Sequence, residues 1–283
     1  MGGLRYVEHR PGPELRPHVE CLWLASDTRA RPREPERVVP DGCPELIVHL
    51  ADCFARQRGS RFVVQPRAFL AGTLTRPWLL RAGRRVLTLG VRFRPGAVTA
   101  VLPVSMPEAA DRETRLAAIV GAAAAKALGR ALRTARSEAA RFAAAEEWLV
   151  GRLAVARPRG DGASASVRLL LEARGAARID DVARALGWTR RRLERTFTRE
   201  LGIRPKLFAR IVRLNAVLGG MGDLERASAV DMALAAGYFD QAHLLRDFRG
   251  LAGRTPRAGR ERDGELARHF TDPDRLRLLF AGE

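Results

Sequence analysis

The hydrophobic pattern divides the chain into two parts. Up to about residue 104 the apolar positions form short runs broken by Pro and Gly, which is typical of short β-strands joined by turns. The runs that we assign to strands are 19–25, 46–50, 62–64, 68–71 and 87–93. From about residue 106 the apolar positions recur at three- and four-residue steps, the period of an amphipathic helix. We therefore predict an α+β chain, with a β-rich barrel or sandwich first and helices after it.

The same pattern predicts the domain organisation. We expect a β-rich, sensor-like domain at 1–105, a helical connector at 106–156, a linker at 157–163, an all-α domain at 164–260 and a tail at 261–283. The linker assignment depends on Pro158, Gly160 and Gly162, which lie among charged residues. The tail carries a short apolar pattern and no motif to which we assign a function.

One motif occurs twice in the all-α part. The first copy consists of Val182-Ala183, Gly187, Thr189, Leu193-x-Arg195-x-Phe197, Gly202 and Pro205. The second consists of Met232-Ala233, Gly237, Asp240, Leu244-x-Arg246-x-Phe248, Gly253 and Pro256, with one extra residue between its first Gly and its Leu. Each copy predicts a short helix ended by Gly and a second helix capped by Thr189 or Asp240. Two helices joined in this way form a helix-turn-helix unit, whose second helix enters the DNA major groove.

Helical geometry selects the side chains that face away from the protein core. With Leu193 and Leu244 on the buried side, the outward positions carry arginines, whose planar fork can bond guanine O6 and N7 together. Apolar residues there can contact a thymine methyl group. The candidate DNA-binding residues are Thr189, Arg190, Arg191, Arg192, Glu194, Arg195, Thr198, Asp240, Gln241, Ala242, Leu245, Arg246 and Arg249. The alternative is that these residues form a charged helix face that contacts only solvent. The repeated motif favours DNA binding over this alternative.

These motifs resemble the AraC/XylS-type DNA-binding domain. The similar residues run over roughly 164–260 and include the phrases 202–208 and 237–244, with Arg210 and Arg213-Leu214. The phrases 39–47 and 90–97 are similar to the β-barrel-like N-terminal domain of some of these regulators. The resemblance implies two helix-turn-helix units joined by a long helix, sequence-specific binding of promoter DNA and control of transcription in bacteria. Leu245 departs from the family, which usually has a small or polar residue there, so we expect the first unit to read more of the sequence.

The resemblance also implies partners. They are double-stranded promoter DNA, RNA polymerase, a small-molecule effector of unknown identity and a second copy of the chain. In the family, connector helices commonly mediate dimer contacts. Helices that simply cap the barrel are the alternative here, and the sequence does not choose between the two roles.

The net positive charge of the chain is weaker evidence for DNA binding than its size suggests. The formal charge is +18, which indicates a polyanionic partner. However, residues 164–260 carry +9, residues 1–163 carry +11 and the tail carries −2, so the excess is not confined to the DNA-reading part. Three cysteines, no signal-peptide pattern and no apolar run long enough to span a membrane predict a cytoplasmic protein.

Catalytic and metal sites are not expected. No nucleophile triad, phosphate loop or dinucleotide motif is present, and no two of the five histidines have metal-ligand spacing, so we predict no enzyme, cofactor or metal. We expect His49 to be half-buried on a strand. Arg92 and Arg94 share one face beside Phe93, and we expect them to be surface residues, with binding of an acidic effector as the alternative. A repair-type barrel protein with Cys43 or Cys21 as a reactive acceptor stays an alternative, as does an N-terminal domain that serves assembly alone.

Overall fold

The protein is described by a computed structural model over residues 4–27, 34–155, 163–220, 237–238 and 240–255. The linker residues 156–162, the segment 221–236 that contains the first helix predicted for the second unit, and residues 256–283 lie outside this description.

Ten strands form two antiparallel sheets in the first part of the chain. They are β1 Arg5–His9, β2 Val19–Asp27, β3 Glu36–Val38, β4 Glu45–His49, β5 Ala55–Arg58, β6 Arg61–Val64, β7 Ala68–Ala71, β8 Trp78–Arg81, β9 Val86–Phe93 and β10 Glu113–Arg115. The larger sheet has the order β1-β2-β9-β4-β7-β10, and the smaller has the order β3-β8-β5-β6. The predicted β-rich domain is therefore confirmed as a two-sheet structure.

The central strands β2 and β9 are buried on both faces. Along β2, Leu22 and Leu24 pack in one hydrophobic cluster, and Cys21, Trp23 and Ala25 pack in another on the opposite face. This explains why β2 reads as a nearly continuous apolar run rather than as a strict alternation. Gly90 of β9 lies opposite Trp23, and a Cβ atom at position 90 would fall 2.0 Å from the indole ring.

Helices from the middle of the chain cover one face of the larger sheet. They are α1 Met106–Ala109, α2 Leu116–Val120, α3 Ala122–Thr134 and α4 Glu138–Val155. Leu128 and Leu132 of α3, and Phe142 and Leu149 of α4, belong to the same core as strands β2 and β9. Within the described residues these helices therefore cap the sheet, as one of the two alternatives predicted, and a role in dimer contacts stays a prediction.

The predicted strands all form, but half of the observed strands were not predicted. The additional strands are β1, β3, β5, β8 and β10, and β10 lies inside the segment expected to be a helical connector. Its residues Glu113-Thr114-Arg115 have no alternating pattern, and they become the edge strand of the larger sheet because they pair with β7. Their backbone partners, rather than their side chains, determine this structure.

The remaining helices belong to the predicted DNA-binding part. They are α5 Ser164–Glu172, α6 Ile179–Ala185, α7 Arg190–Leu201, α8 Pro205–Gly220 and α9 Gln241–Asp247. Pro205 is the first residue of α8, where its missing N–H costs nothing. With 16 residues, α8 is about 24 Å long at roughly 1.5 Å per residue. None of the described helices is long and apolar enough to cross a membrane.

Candidate nucleic-acid interface and effector cavity

Helices α6 and α7 are the two helices predicted for the first helix-turn-helix unit. Gly187, at φ +63°, lies in the turn, and the hydroxyl of Thr189 accepts the backbone N–H of Arg192 at 3.2 Å, so that it caps α7 as predicted. Val182 and Ala183 of α6 are buried together with Leu193 and Phe197 of α7. The apolar side of α7 is thereby fixed against the domain core.

The opposite side of α7 is open to solvent. Arg191, Arg195 and Thr198 are exposed. Neither arginine forms an ion pair with another residue in the described parts of the chain, so both guanidinium groups can bind an external partner. The Thr198 hydroxyl donates to the carbonyl oxygen of Glu194 at 2.9 Å and keeps its acceptor capacity.

Three other predicted DNA-binding residues of α7 already have protein partners. Arg190 donates to Glu194 at 3.0 Å and to Asp180 of α6 at 3.2 Å. The hydrogen bond to Glu194 raises the pKa of the Arg190 guanidinium. Arg192 lies over the ring of Trp188 at 4.5 Å. These contacts tie α7 to α6 and to the turn, and they orient the helix.

Helix α9, which is the second predicted recognition helix, repeats this arrangement. The side chain of Asp240 accepts the backbone N–H of His243 at 2.6 Å, and Leu244 and Phe248 are buried. Four predicted residues, Gln241, Ala242, Arg246 and Arg249, are exposed, and Leu245 is half-buried. Helix α9 continues as a π-helical turn over Phe248–Ala252.

The glycines and caps are equivalent in the two copies, and they show where the extra residue of the second copy lies. Gly187 and Gly237, and likewise Gly202 and Gly253, all have positive φ, as the repeat predicts. Both capping residues lie four positions before the buried Leu, so the extra residue of the second copy falls in its turn, between Gly237 and Asp240. The insertion therefore leaves the register of α9 unchanged.

An ion pair that the sequence did not indicate attaches α9 to α8. Two nitrogens of Arg210, Nε and Nη2, donate to the same carboxylate oxygen of Asp247, at 2.9 and 2.7 Å. Asp247 is almost fully buried although it lies in a predicted recognition helix. Asp247 lies three residues after Leu244, on the buried side of α9, and this spacing was the one feature of the sequence that could have predicted its burial.

The N-terminal domain contacts the DNA-binding part through residues 39–43. Val39 belongs to the hydrophobic core of the helical domain. The carbonyl oxygen of Pro40 accepts the side-chain N–H of Asn215, from α8, at 2.8 Å. Gly42 lies against the ring of Phe208, also from α8. A second bond joins the Thr99 hydroxyl to Glu200 of α7 at 2.7 Å.

The same segment lines a cavity of about 60 Å³ in the N-terminal domain. A single water needs about 10–15 Å³ of such space, so the cavity can hold a larger molecule. Its walls come from both sheets and are mostly apolar, and the lining includes Val39, Asp41 and Cys43 of the segment. Residues 39–43 therefore contact the cavity on one side and α8 on the other.

Two of the expectations for polar residues near this cavity were wrong. Arg92 is only 2% exposed rather than a surface residue, because it bonds both Asp41 and Glu45, the latter at 3.0 Å. His49 is fully buried rather than half-buried, with ring nitrogens 3.1 Å from the Thr88 hydroxyl and 3.3 Å from the Gln65 side-chain oxygen. Burial lowers the pKa of His49 to about 4, so the ring is neutral at pH 7. Arg94 is partly exposed and pairs with Glu20 at 3.0 Å.

The cysteines near this site are not activated. Cys43 is buried, and burial raises the pKa of its thiol well above the usual value, which opposes formation of the thiolate nucleophile. Cys21 is also buried. No group of three metal-ligating side chains is found in the described part of the chain.

Two sequence families match separate parts of the chain. A domain of unknown function, DUF6597, matches residues 7–115, and a helix-turn-helix domain matches residues 182–262. A search of curated proteins gives no significant match.

Distant similarities to solved structures extend over most of the chain. ToxT from Vibrio cholerae is 8% identical with a TM-score of 0.44, over 83% of this chain and 95% of its own. A structure of ToxT from the same organism with bound unsaturated fatty acid is 10% identical with a TM-score of 0.42, over 90% of this chain and 95% of its own. The AraC-like transcriptional activator CuxR is 14% identical with a TM-score of 0.27, over 75% of this chain and 85% of its own.

Proposed function

We propose that the chain is an AraC/XylS-type regulator and that it recognises promoter DNA in a sequence-specific manner through α7 and α9. One observation carries the proposal. Two helices with the same cap position and the same buried Leu-Phe pair each leave arginines exposed on the face opposite the core. This is the arrangement that a recognition helix needs in a major groove.

The proposed roles differ along α7. Arg191 and Arg195 contact base edges, since their guanidinium groups are not used inside the described protein, and Thr198 contacts a base or a phosphate. Arg190, Arg192 and Glu194 hold the helix through their protein contacts, with phosphate contacts as a further role of the two arginines.

The joining helix gives the two recognition helices their spacing. Neighbouring major-groove segments on one face of DNA lie roughly 34 Å apart. We propose that α8, about 24 Å long by its 16 residues, together with the widths of the helices packed at its two ends, places α7 and α9 in two such segments. In α9 the DNA-facing residues are Asp240, Gln241, Ala242, Leu245, Arg246 and Arg249.

We also propose that the cavity in the N-terminal domain is an effector site. A ligand there would contact residues 39–43, which touch α8 through Pro40 and Gly42. The proposed partners are double-stranded promoter DNA, a small-molecule effector, RNA polymerase and a second copy of the chain, in the bacterial cytoplasm.

Substitution of the reading face tests DNA recognition. A binding site is first selected from random duplexes, and affinity is then measured by gel shift at fixed salt. Arg191→Ala and Arg195→Ala should each weaken binding by about 1–3 kcal/mol and relax the base preference at one position. Arg168→Ala removes the same charge from the exposed face of α5 and serves as the control. Equal losses in all three variants would point to non-specific electrostatics instead.

The two alternatives make different predictions. A reactive-cysteine repair protein requires a thiolate, and the burial of Cys43 and Cys21 opposes one. Modification of the native protein by a thiol reagent at either residue, at a rate near that of free cysteine, would revive that alternative. An N-terminal domain that only assembles the protein should bind no small molecule in calorimetry and should change its oligomeric state when its surface is altered.

A further inference from the structure

The cavity in the N-terminal domain has an unusual lining for an effector site. Four aromatic side chains, Trp23, Phe54, Phe69 and Trp78, form much of its wall, and all four are buried. They come from both sheets and from the loop that precedes β5. The guanidinium of Arg56 already covers one face of the Trp78 ring, 3.5 Å from its centroid, so the other three rings are the ones available to a cation.

The ionisable groups in the wall are acidic. Asp41 and Glu45 line the cavity, with Cys43 between them along the chain, and no Lys, Arg or His lines it among the described residues. Arg92 bonds both carboxylates and is not one of the lining residues, so one buried cation balances part of their charge and fixes their positions. An anionic ligand would therefore find carboxylates at this wall and no cation in contact with it.

A polar group in the aromatic wall is also available. The indole N–H of Trp78 is buried and has no hydrogen-bond partner in the described structure, although such groups are normally satisfied when buried. An acceptor on a substituent of the ligand can satisfy it, and this bond is separate from the attraction between the wall and a cation.

Together these features define a ligand class. Aromatic faces attract cations through their negative quadrupoles, most strongly when the cation is removed from water, and carboxylates nearby add direct attraction. We propose that the cavity binds a small hydrophobic cation, an aromatic or quaternary amine about the size of one substituted ring. This proposal rests on the proposed effector site, and it specifies the charge of the ligand for that site.

Three probes that share a benzyl group test the charge preference on the full-length protein, and the first two of them also match in shape. Benzyltrimethylammonium is the cation, neopentylbenzene is its uncharged carbon isostere, and phenylacetate is an anion with the same ring. Binding is followed by calorimetry and by the fluorescence of the wall tryptophans. We expect the cation to bind at least tenfold more tightly than the isostere, and phenylacetate to bind more weakly than both.

Two substitutions locate the site, with a matched control. Asp41→Asn and Glu45→Gln should each weaken binding of the cation tenfold or more and leave the affinity of the uncharged isostere unchanged. Glu20→Gln removes a carboxylate from the same neighbourhood that does not line the cavity, and it should leave both affinities unchanged. If Asp41→Asn does not fold because Arg92 loses a partner, Glu45→Gln and Trp78→Leu carry the test.

Several results would overturn the proposal. They are equal binding of cation and isostere, tighter binding of phenylacetate, or no binding of any probe at millimolar concentration. Gel shifts with the selected DNA, performed on the same preparation without ligand, separate this outcome from failure of the proposed function. Specific DNA binding without cation binding rejects the ligand class alone, and cation binding without specific DNA binding rejects the regulator alone.

Discussion

His49 is the residue whose surroundings most clearly determine its chemistry. It lies between Thr88 and Gln65, and Gln65 in turn donates to Glu113 at 2.9 Å, so a buried polar chain links β4, β9 and β10. The network accommodates a neutral imidazole, and burial lowers the pKa of His49 from 6.5 to about 4. A charged ring would lose its hydration without gaining a carboxylate of its own.

This shift predicts that the protein loses stability in mild acid. Below pH 6.5 the unfolded chain binds a proton at His49, whereas the folded protein does not bind it until about pH 4. The free energy of unfolding therefore falls as the pH drops from 6.5 to 4, by up to about 3 kcal/mol. Urea unfolding at several pH values, followed by tryptophan fluorescence, measures the slope. His49→Gln should flatten it.

The sequence predicted the strand position of His49 but not its burial. Glu45, Ile47 and His49 share a face of β4 by strict alternation, and that alternation is visible in the sequence. The groups that bury and bond the ring, Gln65 and Thr88, lie 16 and 39 residues away. The same holds for Arg92, whose partners Asp41 and Glu45 are 51 and 47 residues away. A buried polar group depends on partners that only the folded chain brings together.

Among the elements, α9 depends on α8 for its position. The carboxylate of Asp247 is buried, and Arg210 of α8 supplies two of its hydrogen bonds. Arg210→Met should leave this acceptor unsatisfied and destabilise the docking of α9 by about 1–3 kcal/mol. Hydrogen exchange should show less protection of the α9 amides, and gel shifts should show weaker binding to the selected DNA.

A double substitution separates this contact from a direct effect on DNA. Asp247→Asn removes the buried charge, so Arg210→Met combined with Asp247→Asn should recover part of the loss seen with Arg210→Met alone. If the double variant binds DNA as weakly as the sum of the two single effects, Arg210 contacts DNA itself and does not act by positioning α9.

The two recognition helices should contribute unequally. Arg195 and Arg246 occupy equivalent positions, two residues after the buried Leu, and both are exposed. In α7, Arg191 precedes Arg195 by one turn, whereas the equivalent residue of α9 is Ala242. We expect Arg195→Ala to weaken specific binding by about 1–3 kcal/mol and Arg246→Ala by less. Gel shifts with the selected DNA compare them, and a larger effect of Arg246→Ala would assign the main reading role to α9.

At the scale of the whole molecule, the two domains share residues 39–43. Val39 packs in the core of the helical domain, Pro40 accepts a bond from Asn215, and Asp41 and Cys43 line the cavity. The repeat in the sequence predicted the caps, turns and buried faces of the helices because those features are local. The interface and the cavity could not be predicted in the same way. The interface joins segments more than 150 residues apart, such as Pro40 and Asn215, and the cavity is formed by two sheets.

Gly42 provides a direct test of this link between domains. It has φ +88°, and a Cβ atom there would lie 2.7 Å from the ring of Phe208 on α8. Gly42→Ala therefore combines backbone strain with a displacement of the helix that spaces α7 and α9. Gly59→Ala is the matched control, because Gly59 also has positive φ, at +61°, but its Cβ would meet nothing within 4 Å.

Gly59→Ala should lose about 1–2 kcal/mol of stability, because a side chain in the left-handed region clashes with its own backbone, and Gly42→Ala should lose more because its Cβ also meets Phe208. Only Gly42→Ala should also weaken binding to the selected DNA, by tenfold or more, because the displaced α8 no longer holds both recognition helices at the spacing of the two groove segments. Thermal unfolding measures the shared strain, and gel shifts at fixed salt measure the difference. Equal DNA affinity of the two variants would show that residues 39–43 contact α8 without controlling its position.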